Sequence, residues 1–385
     1  MSYISEVAKR EIDRLYNGKI YWFCIIIAPL LSALFFISLM YQGLPTNLPA
    51  ALVDMDNSPV SRSLSRQLNS FEGTQIVAQY NNFEKARKSM QEGEIYGIFF
   101  IPTNFAQDAT SGKQPKLSFY TNNSYLIAGS LLFKDMKTVA TLSSGAVVLQ
   151  TGRAKGYSDA QIKAQIQPVV IDTRPIGNPW LNYSVYLNNV ILPGILGLLI
   201  MCVTVYSIGI EIKERTKSEW LQTGNNSIMQ AIIGKLLPQT ILFFIVGMIL
   251  FGLLYVFMQF PMQNIVPMIF NLLLFIIASQ ALGVFMIGCL PTLRLGLSFA
   301  CIWGMTSFSV SGFSFPVDAM YPSVQALSNF FPLRHYFMIY VDQALNGRDL
   351  FYSWSRYIGL SGFLILPFFV FKNLKWSLKN TSYQP

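Results

Sequence analysis

Gly209-Ile-Glu-Ile-Lys-Glu-Arg-Thr-Lys-Ser-Glu-Trp220 stands between two long apolar runs, and six of the nine residues from Glu211 to Glu219 are Glu, Lys or Arg. The chain around it is 385 residues long, 52% hydrophobic and only 12% charged. Its mean hydropathy of +0.41 lies outside the range of ordinary soluble domains. So dense a charged interruption reads as a loop in water joining two membrane spans.

An apolar run needs about 20 residues to cross a bilayer as a helix. Six segments meet that length: Ile20–Met40, Val185–Ile210, Leu236–Phe257, Ile265–Leu290, Leu295–Phe315 and Trp354–Phe371. The first follows a basic leader, as a signal peptide would, but it is long and Tyr41-Gln-Gly-Leu-Pro after it is a poor cleavage site. It reads as a span.

Lysine and arginine in short loops set orientation, whereas long domains cross largely regardless of charge. One set of flanks carries Lys9, Arg10, Arg14 and Lys19, then Lys213, Arg215, Lys217 and Lys235, then Arg294, then Lys372, Lys375 and Lys379. The opposite flanks are the uncharged link Gln259–Asn264 and the stretch Pro316–Tyr352, where Arg334 and Arg348 are offset by Asp318, Asp342 and Asp349. The first set is therefore expected in the cytoplasm with both termini, in a bacterial inner membrane, and residues 42–184 on the periplasmic side. This topology accounts for the net charge of +9 without a nucleic-acid partner, because the basic residues do not cluster with exposed aromatics. Ser2–Asn17 has apolar residues near helical spacing and reads as an amphipathic helix lying on membrane lipid.

From Asn47 to Asn178 the pattern changes to short β-rich runs alternating with polar helices. Strands are expected at Leu48–Asp54, Gln75–Tyr80, Ile95–Ile101, Lys116–Tyr120 and, closing the domain, Pro168–Asp172. Helices are expected at Pro59–Ser70, Asn82–Glu92 and Ser124–Gln150, with a shorter one near Ser158–Gln165, and the segment Pro102–Thr110 follows the third strand. The order implies a compact α/β domain inserted between the first and second spans. Asp54 and Asp56 resemble cation ligands, but an Asx turn capping the next helix explains them without a metal.

Little here supports catalysis. The four cysteines lie in apolar runs, no GxSxG, HExxH or Walker phosphate loop occurs, and the single histidine, His335, reads as an interfacial side chain. No charge falls near the middle of any apolar run, which argues against a proton- or sodium-driven carrier. Energy for transport would then come from another subunit.

Four stretches in this order, "LVDMDNSPVSRSL", "FEKARKSMQEGEIYGIFFIPTNFAQD", "IKERTKSEWLQTGNNSIMQAIIGKLLPQ" and "SGFSFPVDAMYPSVQALSNFFPLRHYFMIYVDQALNG", together with the span arrangement itself, resemble type 2 ABC exporter permeases with a large extracytoplasmic domain after the first span. The resemblance covers nearly the whole chain. It implies a multi-span α-helical protein of six transmembrane helices that works as a homodimer or with a similar permease. It implies no ATPase site or cofactor in this chain, with ATP and Mg held by a separate cytoplasmic ATP-binding cassette subunit. A membrane-fusion adaptor and an outer-membrane channel often accompany such permeases. In place of the family's Glu-Arg-Glu-x-Gly-Thr this chain has Glu214-Arg215-Thr216-Lys217-Ser218-Glu219.

The expected organisation is a cytoplasmic helix at 1–19, the first span at 20–41, the extracytoplasmic domain at 42–184, a five-helix membrane domain at 185–372 and a tail at 373–385. A coupling loop at 209–235 is expected to be bracketed by Gly209 and Gly224-Asn225-Asn226, with a short amphipathic helix between them. Its mixed charges suit docking on a partner protein, which makes Glu211, Lys213, Glu214, Arg215, Lys217, Glu219 and Trp220 the candidate ATPase-coupling residues. Across the membrane, residues 313–335 are broken by Pro316, Pro322 and Pro332 and read as a re-entrant or interfacial hairpin. Phe313, Phe315, Pro316, Pro332, Arg334 and His335 mark this outer mouth. A membrane receptor or anchor whose outside domain binds a ligand is the alternative class.

Overall fold

The computed structural model describes residues 3–174 and 176–380, which form two compact units, Gln42–Arg174 and the remainder of the chain. In the second of these, six helices are long and apolar enough to cross a membrane: Lys19–Leu39, Tyr183–Lys213, Ile228–Phe257, Ile265–Cys289, Leu293–Val310 and Leu350–Asn380. We number them as spans one to six. Spans two and four are central, with 67% and 78% of their most apolar stretch buried, against 22% for spans one, five and six.

Lipid is as apolar as leucine, so helices in a membrane associate by close packing, and small residues allow the approach. Gly197 of span two faces the Phe275 ring of span four, where an added Cβ would come within 2.6 Å. Gly283 of span four stands against Thr204 in the same way, an added Cβ reaching 2.9 Å. Longer side chains at either position would separate the two central helices.

The N-terminal helix Tyr3–Asn17 buries Val7, Glu11 and Leu15 against the span bundle and leaves Ile12 and Tyr16 exposed. The sequence reading put charge on the solvated side of this helix. Glu11 is the exception, and its partner lies in span three. At Gly234 of span three an added Cβ would stand 2.6 Å from Val7 Cβ and 2.8 Å from the Ile4 carbonyl oxygen, so the two helices meet almost backbone to backbone.

At the other end of the bundle, span five is followed by a short 3₁₀ turn, Val317–Ala319, and two helices, Pro322–Ser328 and Pro332–Tyr340. Each helix begins at a proline, whose missing N–H is an orphan in the first turn anyway. The first is mostly exposed, whereas Pro332 to Tyr336 are buried.

The unit Gln42–Arg174 holds a four-stranded sheet of order β2-β1-β3-β4, with β1 Leu48–Asp54, β2 Thr74–Gln79, β3 Gly97–Ile101 and β4 Ser118–Thr121. The central strand β1 runs parallel to β2 and β3, and β4 closes antiparallel on β3. Alternate residues of β1 and β3 enter two cores. Leu52 and Phe99 meet Leu68, Leu132 and Met136 on one face, and Val53 and Ile98 meet Ala86 on the other. Helices on both faces explain why β1 reads as a continuous apolar run. The Asp54 carboxylate accepts from the backbone N–H of Asp56 and Asn57, each at 3.0 Å, and Ser58 caps the following helix. That is an Asx turn, and no group of three or more potential metal ligands occurs among the described residues.

Two elements differ from the sequence reading. Pro168–Asp172 is not a strand: Val169, Val170 and Ile171 are 71%, 86% and 71% exposed and make no ladder. Local β propensity there lacks a partner strand, which β structure requires. Gly209 does not open the loop either. Span two continues through it to Lys213, and its missing side chain makes room for Leu293, 2.7 Å from an added Cβ.

Replacing Gly234 with valine should force the N-terminal helix off span three, at about 1–3 kcal/mol. The expected results are a lower melting temperature in detergent and new trypsin cleavage at Lys9 or Arg10. An unchanged digest would mean that the helix is not seated on Gly234.

Candidate functional site

The loop between spans two and three contains residues 214–227 and one short helix, Lys217–Thr223. Span two stops where Arg215 takes a left-handed conformation, φ 61°. Asn225 and Asn226, at φ 54° and 55°, turn the chain back, asparagine being one of the residues that tolerate this region best. Trp220 and Leu221 point inward, and the Trp220 indole N–H donates to the Ala231 carbonyl at 3.2 Å. The loop is thereby pinned to the first turn of span three.

Beneath it lies a buried ion cluster. Lys235 of span three, with no exposed side-chain surface, places its ammonium 2.7 Å from Glu11 of the N-terminal helix and 2.8 Å from Glu211 of span two. Gln239, one helical turn on, donates to the other Glu11 oxygen at 2.8 Å. Arg10 grips Glu211 with two nitrogens at 2.7 and 2.9 Å, and Arg14 reaches the same carboxylate at 3.0 Å. The Thr216 hydroxyl donates to Glu211 at 2.5 Å while accepting from Arg14 at 2.9 Å. The Lys235 ammonium also lies 5.0 Å from the Trp220 ring centre, within cation–π range.

Three cations thus surround two fully buried carboxylates, and Glu214, half exposed, sits 3.6 Å from Arg14. For Arg10, burial opposes the charge, but the hydrogen bonds and charge of Glu211 outweigh it and raise its pKa. The arrangement ties four pieces of chain together: the N-terminal helix, the end of span two, the loop helix and the start of span three. Breaking a buried pair leaves a charge uncompensated at a cost of about 3–5 kcal/mol, which opposes separation of these pieces.

The candidate coupling residues fall into two sets. Glu211 and Trp220 face inward and hold the loop. Lys213, Glu214, Arg215 and Glu219 face solvent, with Lys217 half-buried. Glu11, Arg10, Arg14 and Gln239 complete the cluster; the first three carry no signal in sequence beyond charge at a helix face, and Gln239 carries none. Of the outer-mouth residues, Phe315 and Pro316 are exposed, Pro332, Arg334 and His335 are buried, and the Phe313 carbonyl accepts from the Tyr186 hydroxyl of span two.

Residues 19–372 match the family model of the ABC-2 family transporter proteins. The chain is also similar to the linearmycin resistance permease protein LnrN of Bacillus subtilis (strain 168), with 21% identity over 351 residues, covering 86% of this chain and 88% of that protein.

Substituting Lys235 with methionine should leave Glu11 and Glu211 facing each other and cost about 3–5 kcal/mol. Adding Glu11→Gln to Lys235→Met should recover part of that loss. A double-mutant cycle on denaturant unfolding in micelles measures it, and additive effects would mean that the two residues do not interact.

Proposed function

The chain belongs to the ABC-2 family of transporter proteins, and from that premise we propose that it is the permease of an exporter driven by a separate ATP-binding subunit docking on the loop at 214–227. That it is a membrane permease follows from the family and the six spans. The observation carrying the rest is the loop's construction. One side is clamped through Trp220 and Glu211 to three helices, and the other presents Lys213, Arg215 and Glu219 to water. A solvated loop would need no such clamp. A surface that receives a push from a partner does, because force applied to it must reach the spans.

ATP and Mg belong to the partner in this proposal, and this chain supplies the moving path. The relative named a resistance permease supports outward transport, and the uniformly apolar spans suit a hydrophobic or amphipathic substrate. The mostly exposed faces of spans one, five and six favour a second permease copy beside the first, as a homodimer. The basic flanks support a cytoplasmic loop, with residues 42–184 on the far side of an inner membrane, where an adaptor and an outer-membrane channel would be reached.

Orientation is tested with single cysteines at Ser70 and Ser218, both exposed, in a chain whose four native cysteines are replaced by alanine. An impermeant thiol reagent should label Ser70→Cys in intact cells and Ser218→Cys only after lysis. Labelling of Ser218→Cys from outside would invert the arrangement.

Docking is tested by Lys213→Glu and Arg215→Glu against Lys379→Glu in the last helix, all three positions being exposed. Reversing a charge in a buried interface costs about 2–5 kcal/mol. All three variants should insert normally, with recovery of the ATP-binding subunit falling at least about tenfold in the first two. Full recovery with Lys213→Glu and Arg215→Glu combined would remove the loop as the docking site.

A further inference from the structure

At the end of the bundle opposite the ion cluster, three arginines stand near the helix Pro332–Tyr340, and only one has a partner charge. Arg348 lies 3.2 Å from Asp342, with its guanidinium 4.8 Å from the Tyr352 ring centre. Arg334 and Arg356 have no carboxylate within ion-pair distance among the described residues. They are close enough to repel each other, and Asp318 is the acidic group whose charge reaches Arg334.

Arg334 is only 8% exposed. One terminal nitrogen donates to the Gln325 carbonyl at 3.1 Å, but its Nε has no partner among the described residues. His335, 5% exposed, sets Nε2 2.9 Å from the Asn329 carbonyl. A carbonyl accepts only, so the proton sits on Nε2 and Nδ1 carries a lone pair, again without a partner. The ring rests on Gly359 of span six, where an added Cβ would be 2.5 Å from Cε1 and 2.7 Å from Nδ1. Arg356 lies three residues before Gly359, on the same face of that helix. Arg334 and His335 are neighbours in the chain, and Arg356 stands on the face of span six that the His335 ring touches.

Buried charges in proteins are paired, because an isolated one loses its hydration without return. Among the described residues no carboxylate pairs directly with Arg334 or Arg356, and Asp318 acts on Arg334 only from beyond ion-pair distance. We infer that Arg334, Arg356 and His335 form a binding site for a phosphate-type oxyanion, such as the phosphodiester of a phospholipid headgroup or free phosphate. Guanidinium forks match the geometry of phosphate oxygens. Arg356 lies only two residues inside the last apolar run, the depth at which a headgroup meets the hydrocarbon.

The histidine adds a pH dependence. Its pKa is lowered, first by burial and then by the charges of Arg334 and Arg356, against the opposing Asn329 carbonyl. The free ring is neutral at neutral pH. A bound oxyanion favours the protonated ring, with Nδ1–H donating, so binding takes up a proton and strengthens as pH falls.

The experiment is native mass spectrometry of the full chain in micelles with added phosphatidylglycerol. Wild type is compared with Arg334→Gln/Arg356→Gln, with Arg356→Gln alone and with the paired-arginine control Arg348→Gln. Arg356 is half exposed and makes no hydrogen bond or ion pair among the described residues, so its single substitution should leave folding intact. Retained lipid should fall about tenfold or more in the double variant, fall measurably in Arg356→Gln, and stay near wild type in Arg348→Gln. Wild type should retain more lipid at pH 6 than at pH 8, and His335→Gln should lose that difference. Displacement by millimolar inorganic phosphate would identify a soluble anion as a ligand of the site, and resistance to it would identify the headgroup. Equal retention by wild type and the double variant, with no effect of phosphate, would overturn the assignment.

Discussion

The Lys235 ammonium sits with no water access between Glu11 and Glu211, carboxylates contributed by two other helices. Such a pair adds little to stability over an apolar packing of the same volume, yet it is costly to break. It therefore constrains more than it stabilises. The N-terminal helix, the end of span two and the start of span three are held in one relative geometry, and the loop between spans two and three inherits that geometry through Trp220 and Thr216. In the proposed assembly, a partner pressing on the exposed face of the loop would act on this joint.

The rest of the bundle conforms to this joint. Span two begins the clamp at Glu211 and, higher up, packs its glycines against spans four and five. Movement at one end thus passes along a helix whose close contacts leave little slack. At the far end of the same helix, the Tyr186 hydroxyl meets the Phe313 carbonyl, just before the hairpin that leads to Arg334 and His335. The path from the loop to the opposite hairpin runs through one continuous helix.

Much of this was legible in the sequence because the determining signals are local. Twenty-residue apolar runs, the change to short β-rich segments after Asn47, and the Ser58 and Asn82 caps need no distant partner to be read. What escaped depends on contacts between remote residues. Glu11 and Lys235 are 224 positions apart, so each alone reads as an ordinary charge at a membrane boundary. Glu211 and Trp220 stand with the solvent-facing coupling candidates in the sequence because periodicity in so short a segment does not say which side chains turn inward. Gly209 looked like a helix terminator, whereas its small size serves contact with Leu293. The run Val169-Val170-Ile171 has strand-forming residues and no strand beside it.

The central claim is that the clamp moves as one body. Spin labels at Asp13 of the N-terminal helix and Gln222 of the loop helix, both exposed, report its internal distance by pulsed electron paramagnetic resonance. The labelled chain is diluted with unlabelled copies in the assembled transporter, and the measurement is made without nucleotide and with ATP trapped. The account predicts one narrow distance distribution, unchanged between the two states. A shift or broadening of that distribution on ATP binding would show the N-terminal helix and the loop parting, and would contradict it.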